Sequence, residues 1–174
     1  MDLTRPTTPN PYDFLPPVPS FALTSDDFEN GAAIPSRCAG EGGTSPHLKW
    51  SGFPAQTESF LVTCFDPDAP TPAGFWHWCL QDLDASVTEL PAGAGRSDLE
   101  LDGAAFHAVG DSGHAGYYGP NPPSGDRPHR YIFVVHALDV PTLELDDEDT
   151  PTVVSFNAVF HTLARAQLTG TYQQ

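Results

Sequence analysis

The loop Asp66-Pro67-Asp68-Ala69-Pro70 and the run Phe75-Trp76-His77-Trp78 that follows it bring two carboxylates and an imidazole close together in the chain. Proline fixes φ near about −65° and restricts the residue before it, so this loop holds its aspartates in set directions. Rigid acids beside an imidazole suit polar binding or the handling of a proton. A second such stretch runs Tyr117-Tyr118-Gly119-Pro120-Asn121-Pro122-Pro123-Ser124-Gly125-Asp126-Arg127-Pro128-His129-Arg130-Tyr131. With residues 129–131 extended, His129 and Tyr131 share a face and Arg130 takes the other, because strand side chains alternate. An imidazole and a phenol then look into one space.

Other chemistry is open to the same residues. Asp66, His77 and His129 are the ligand types of a two-histidine, one-carboxylate metal face, so a metal-dependent enzyme is the alternative reading. Trp76 and Trp78 are expected on the face opposite His77, as core or interface aromatics. Asp68 is expected to bond the amides of its own loop, a habit of aspartate in turns, and Arg130 to pair with a loop carboxylate. His47, His107, His114, His136 and His161 are read as structural or surface histidines without partners. Gly110-Asp111-Ser112-Gly113 has the form of a serine-nucleophile loop, but no histidine in a matching upstream setting accompanies it, and it is read as a flexible turn.

These loops need a frame. Phe21 to Leu23, Ser59 to Phe65, Phe75 to Leu83 and Tyr131 to Leu138 are rich in aromatic or β-branched residues and bounded by Gly, Pro or Asp, as strands are. The second and fourth are almost continuously apolar, which predicts central strands covered on both faces. Pro151 suits a helix start, and Phe156, Val159, Phe160 and Leu163 recur with helical spacing to form one apolar stripe. Ala166 to Tyr172 reads as a closing strand. Residues 1–19, with six prolines, form an extended arm whose Tyr12, Phe14 and Leu15 pack on the body or on a second subunit in a homodimer. Residues 20–174 form a single domain.

Composition narrows the function. Seven Lys and Arg against 23 Asp and Glu give a formal charge of −16, which disfavours nucleic acid and anionic membrane surfaces. The 19 prolines and 15 glycines imply short elements joined by turns. Cys38, Cys64 and Cys79 show neither a disulfide framework nor zinc-ligand spacing. No apolar run marks a secretion signal or a membrane span, and the protein is read as cytoplasmic.

The stretches DPDAP at 66–70 and FWHW at 75–78, then GPNPPSGDRPHRY at 119–131 and GTY at 170–172, resemble the two signature blocks and the C-terminal end of the phosphatidylethanolamine-binding protein (PEBP) family, in its bacterial Raf-kinase-inhibitor-like branch. The resemblance runs from Phe21 to Tyr172. It implies an all-β fold, an antiparallel β-sandwich with Greek-key connections and one C-terminal helix. It also implies a small cavity for phosphate or a phosphorylated head group of the phosphoethanolamine type, lined by Asp66, His77, Gly119, Pro122, Pro123, His129 and Tyr131. At Asn121 the family usually has glycine or cysteine. On this reading His77 and His129 present N–H donors, Tyr131 adds its hydroxyl, and amides of residues 119–123 complete the cradle. Asp66 orients a histidine and favours its charged form. The implied role is non-catalytic binding without a cofactor, with regulation of a kinase or protease partner as a further implication.

Overall fold

A strand that is apolar on both faces folds only where both faces are covered. The computed structural model describes residues 3–174 and shows how this chain supplies that cover. Its strands are β1 (Ala22–Thr24), β2 (Leu48–Ser51), β3 (Ser59–Asp66), β4 (Phe75–Asp84), β5 (Glu89–Leu90), β6 (Phe106–His107), β7 (His129–Leu138) and β8 (Thr162–Tyr172), with α1 (Pro151–Val159) before the last. They form two antiparallel sheets, one ordered β1-β2-β5 and the other β6-β4-β3-β7-β8. All of β3 is buried, and it lies between β4 and β7 at the middle of the larger sheet.

The main core fills the space between the sheets. Leu23, Leu48, Trp50 and Leu90 of the small sheet meet Phe60, Val62, Trp78, Tyr131 and Phe133 of the large one. On the other face of the large sheet, Leu61, Cys79 and Leu138 pack against Val154 and Ala158 of α1. Beside them, Ile132 and Val134 are covered by Tyr12 from the N-terminal arm. The three cysteines are buried and free.

Two elements depart from the sequence expectation. The arm is not extended throughout: Pro11–Phe14 forms a 3-10 turn, capped by Asn10, whose side chain accepts from the Tyr12 amide at 3.0 Å. This turn drives Tyr12 into the body and leaves Phe14 exposed. The helix also shows a different face. Its N-cap Thr150 accepts from Val153, and its buried side chains are Pro151, Val154 and Ala158, which are small enough to let it lie close on the sheet. Phe156 and Phe160, from the stripe expected to pack, remain 65% and 69% exposed and stack edge to face on each other.

Candidate functional site

The ends of β3, β4 and β7 meet the loops of residues 66–74 and 118–128, and the chemistry-bearing residues gather there. Cys64 pairs with Trp78 and Phe65 with Trp76, so His77 is the extra residue of a β-bulge in β4. The bulge turns His77 to the cavity while Trp78 enters the main core. Trp76 lies on the outer face against Phe65, its indole N–H donating to Thr152 Oγ1 at 3.2 Å. The two tryptophans therefore do not share a face opposite His77. Simple alternation assumed an unbroken ladder.

Asp66 closes β3. One of its oxygens accepts from the Asp68 amide at 2.7 Å and the other bonds Nδ1 of His129 at 2.7 Å. The loop can return so tightly because Gly74, at φ 70°, sits where a Cβ would strike the Phe65 ring and the Asp66 carbonyl. Nε2 of His129 lies 2.9 Å from Asp126 Oδ2, so both ring nitrogens are held by carboxylates. Burial works against a charge on His129, but the bonds to Asp66 and Asp126 outweigh it and raise its pKa above the ordinary value. Asp126 in turn receives Arg5 at 2.8 Å, and Arg5 and His129 together lower its pKa. In the charged form of His129 both ring nitrogens carry protons, and its 3.2 Å approach to Arg5 is then a contact of two donors that share one carboxylate.

Arg130 points away from the cavity, as the strand geometry requires. Its Nε lies 2.7 Å and its Nη2 2.9 Å from the two oxygens of Asp68, a bidentate pair, and Arg127 adds a bond at 3.1 Å. Burial alone raises the Asp68 pKa, but the bonds from Arg130 more than reverse this. Asp68 thus spends its oxygens on β7 and the loop that leads into it rather than on its own amides. Arg127 and Arg130 also donate to the carbonyls of Arg5 and Thr8, which ties the arm to the back of the site.

The cavity has a volume of about 220 Å³, room for several waters or one small ligand. Asp66, His77, His129 and Tyr131 form its polar floor, and Phe75, Tyr118, Pro70, Pro122 and Pro123 wall it. Tyr131 is fully buried, and its hydroxyl has no partner among the described residues. Burial raises its pKa strongly, so it stays a phenol. His77 lies under Tyr118, with ring centroids 5.9 Å apart, and its Nδ1 donates to the Tyr118 carbonyl at 2.7 Å. Burial pushes the His77 pKa down, and the Tyr118 carbonyl and the charge of Asp66 only partly offset it.

The expected donor set therefore changes. His129 has no free nitrogen to offer a ligand, and His77 has committed its N–H to a backbone carbonyl. Gly119 does not line the cavity: its amide donates to Gly40 at 3.2 Å, and a Cβ there would meet the Cys38 carbonyl at 2.2 Å, so close backbone approach explains the glycine. Prolines at 120, 122 and 123 have no N–H, which leaves little of the amide cradle. Asn121 stands at the rim, donating to the Tyr118 hydroxyl at 3.1 Å and accepting from Gln174 at 2.6 Å.

A metal face does not form either. Among the described residues no cluster of three His, Cys, Asp or Glu side chains is arranged to hold an ion, and the His129 nitrogens are already taken. Some of the other histidines do have acidic partners: Glu89 for His47, Asp98 for His107 and Asp139 for His161. Reasoning from sequence missed Phe75, Tyr118, Asp126 and Arg5. Phe75 and Asp126 lie inside the signature stretches and Tyr118 immediately before the second, but Arg5 carries no local signal.

Comparison with known proteins bears on this arrangement. Residues 24–173 match the family model described as Phosphatidylethanolamine-binding protein. The UPF0098 protein YbhB of Escherichia coli is 41% identical over 156 residues, covering 86% of this chain and 98% of its own. YbcL of the same organism is 39% identical over 162 residues, 88% of each chain. The crystal structure of YbcL, described as a new member of the mammalian PEBP family, superposes with a TM-score of 0.85 over 89% of this chain and 99% of that one, at 38% identity. A PEBP homologue from Chlamydia trachomatis gives a TM-score of 0.76 at 31% identity, over 89% and 98%. Sequence match, strand order and the single helix agree: the chain belongs to the phosphatidylethanolamine-binding protein family.

Proposed function

We propose that this protein binds a small phosphorylated molecule, of the phosphoethanolamine type, in the cavity between the ends of β4 and β7, and does not transform it. The observation that carries this reading is the Tyr131 hydroxyl. It is a buried donor without a partner among the described residues, on a side chain that lines the cavity. A buried hydroxyl left unpaired costs about 1–3 kcal/mol, so a ligand oxygen that accepts from it gains more than it would in water. The His129 ring beneath adds positive potential when it is protonated, which Asp66 and Asp126 favour, and the faces of Phe75 and Tyr118 suit an alkylammonium tail.

Turnover finds little support in the same geometry. A general base needs a free nitrogen or carboxylate in reach of the reacting proton; His129 is bonded on both sides, and Nε2 of His77 is the one imidazole nitrogen at the cavity with no bond to a described residue. No serine or cysteine lines the cavity. Calorimetry with phosphoethanolamine tests the proposal. Tyr131→Phe should weaken binding about 10- to 100-fold, the range for a hydrogen bond to a charged group, and leave folding stability within about 1 kcal/mol, because the hydroxyl has no protein partner to lose. Equal affinity in the two proteins would remove the cavity as the binding site.

A further inference from the structure

The cavity floor holds one donor and two kinds of acceptor. The donor is the Tyr131 hydroxyl. One acceptor is Nε2 of His77: a carbonyl oxygen only accepts, so the 2.7 Å contact with Tyr118 places the ring proton on Nδ1. Nε2 bonds to none of the described residues. An imidazole is mostly neutral by pH 7.5 even in water, and burial takes this one further in that direction. The charged groups acting on it are Asp66 from β3, Asp111 from the turn at 110–113 and His129 from β7, with the Tyr118 and Tyr131 rings packed on either side. The second acceptor is the Asp66 carboxylate, whose oxygens retain lone pairs after accepting from His129 and Asp68.

An anion made only of acceptor oxygens fits this floor badly. It gains the hydroxyl of Tyr131, but sets lone pairs against His77 and negative charge against Asp66. Building on the phosphate reading above, we infer that the cavity takes phosphate with a proton still on it: a phosphate monoester monoanion, which donates to Nε2 of His77 while it accepts from Tyr131. One P–O–H group supplies the missing donor and halves the charge brought near Asp66. Sulfate, phosphodiesters and the fully ionised monoester lack that proton and are rejected. His77 is then the residue that sets specificity, by what it cannot donate.

Wild-type protein and a set of small anions suffice for the test, with binding followed by calorimetry and by the His77 ring signals in NMR. Methyl phosphate should bind at pH 5.5 and lose about 50-fold or more in affinity by pH 8, as its second ionisation, near ~6, removes the proton. Dimethyl phosphate and sulfate should bind at least about tenfold more weakly than methyl phosphate at pH 5.5. Monofluorophosphate ionises at lower pH, because fluorine withdraws electrons, and its affinity midpoint should shift down with it. A midpoint common to both monoanion probes would place the titrating proton on the protein and overturn the inference. Dimethyl phosphate or sulfate binding as well as methyl phosphate would overturn it too, while leaving phosphate binding intact. Failure of every probe to bind or to move the His77 signals would overturn the phosphate reading itself, and this inference with it.

Discussion

His129 is held between Asp66 and Asp126 with almost no exposure, and the two carboxylates keep its pKa above the ordinary 6.5. Its ring signals should therefore titrate at higher pH than those of a free histidine. In Asp66→Asn the midpoint should move toward acid, since one stabilising charge is gone. NMR titration of the two proteins checks both statements; a His129 midpoint unmoved by the substitution would show that Asp66 does not set it. The sign for stability follows. A raised folded pKa adds stability that is complete below the unfolded value and fades as pH rises through the folded one. The wild-type advantage over Asp66→Asn that comes from His129 should shrink on that alkaline side.

At the scale of elements, the arm is the test case. Tyr12 packs on Ile132 and Val134, its hydroxyl lies 3.3 Å from Thr63 Oγ1, and Arg165 sits over its ring at 5.6 Å. Losing a buried aromatic of this size costs about 3–5 kcal/mol. Tyr12→Ala should lower unfolding stability in urea by about that much and open residues 1–19 to protease; a loss under about 1 kcal/mol would mean the arm is not docked in solution. The arm also shows where sequence stops being informative. The central strands β3 and β7 were legible because their side chains are apolar on both faces. The two-residue strands β5 and β6 carry no period at all. Asp66, His77, His129 and Tyr131 could be picked out by type and turn chemistry. Arg5 could not, since its bond to Asp126 spans 121 positions and only the folded arm brings them together. The saturation of His129 was half hidden for the same reason: Asp126 stands three residues before it, but Asp66 arrives from the end of β3, 63 positions away.

For the molecule as a whole, several buried groups set the response to acid, His77 and His107 among them, and one of them lies beneath the arm. His136 is buried, with burial lowering its pKa to about 3. The unfolded chain takes up a proton near pH 6.5 that the folded one refuses, so stability falls as pH drops from about 6.5 to about 3, by about 1.4 kcal/mol per pH unit from this one group. The His129 contribution is constant in that window, being complete below 6.5. Urea unfolding at pH 6.5, 5.5 and 4.5 should show the decline, and His136→Gln should make it shallower, with His77 and His107 supplying part of the remainder; parallel declines in the two proteins would assign the effect elsewhere.

The ladder between β3 and β4 is continuous on either side of His77, because Trp76 and Trp78 keep their partners without it. The ring proposed to meet the ligand is thus carried by an inserted residue that takes no partner from β3 and is held instead by Tyr118, whose amide donates to its carbonyl at 2.8 Å. On the binding proposed above, recognition and architecture are separable in this molecule, and a change at that single insertion should alter the preferred occupant while the β3–β4 ladder keeps its pairs.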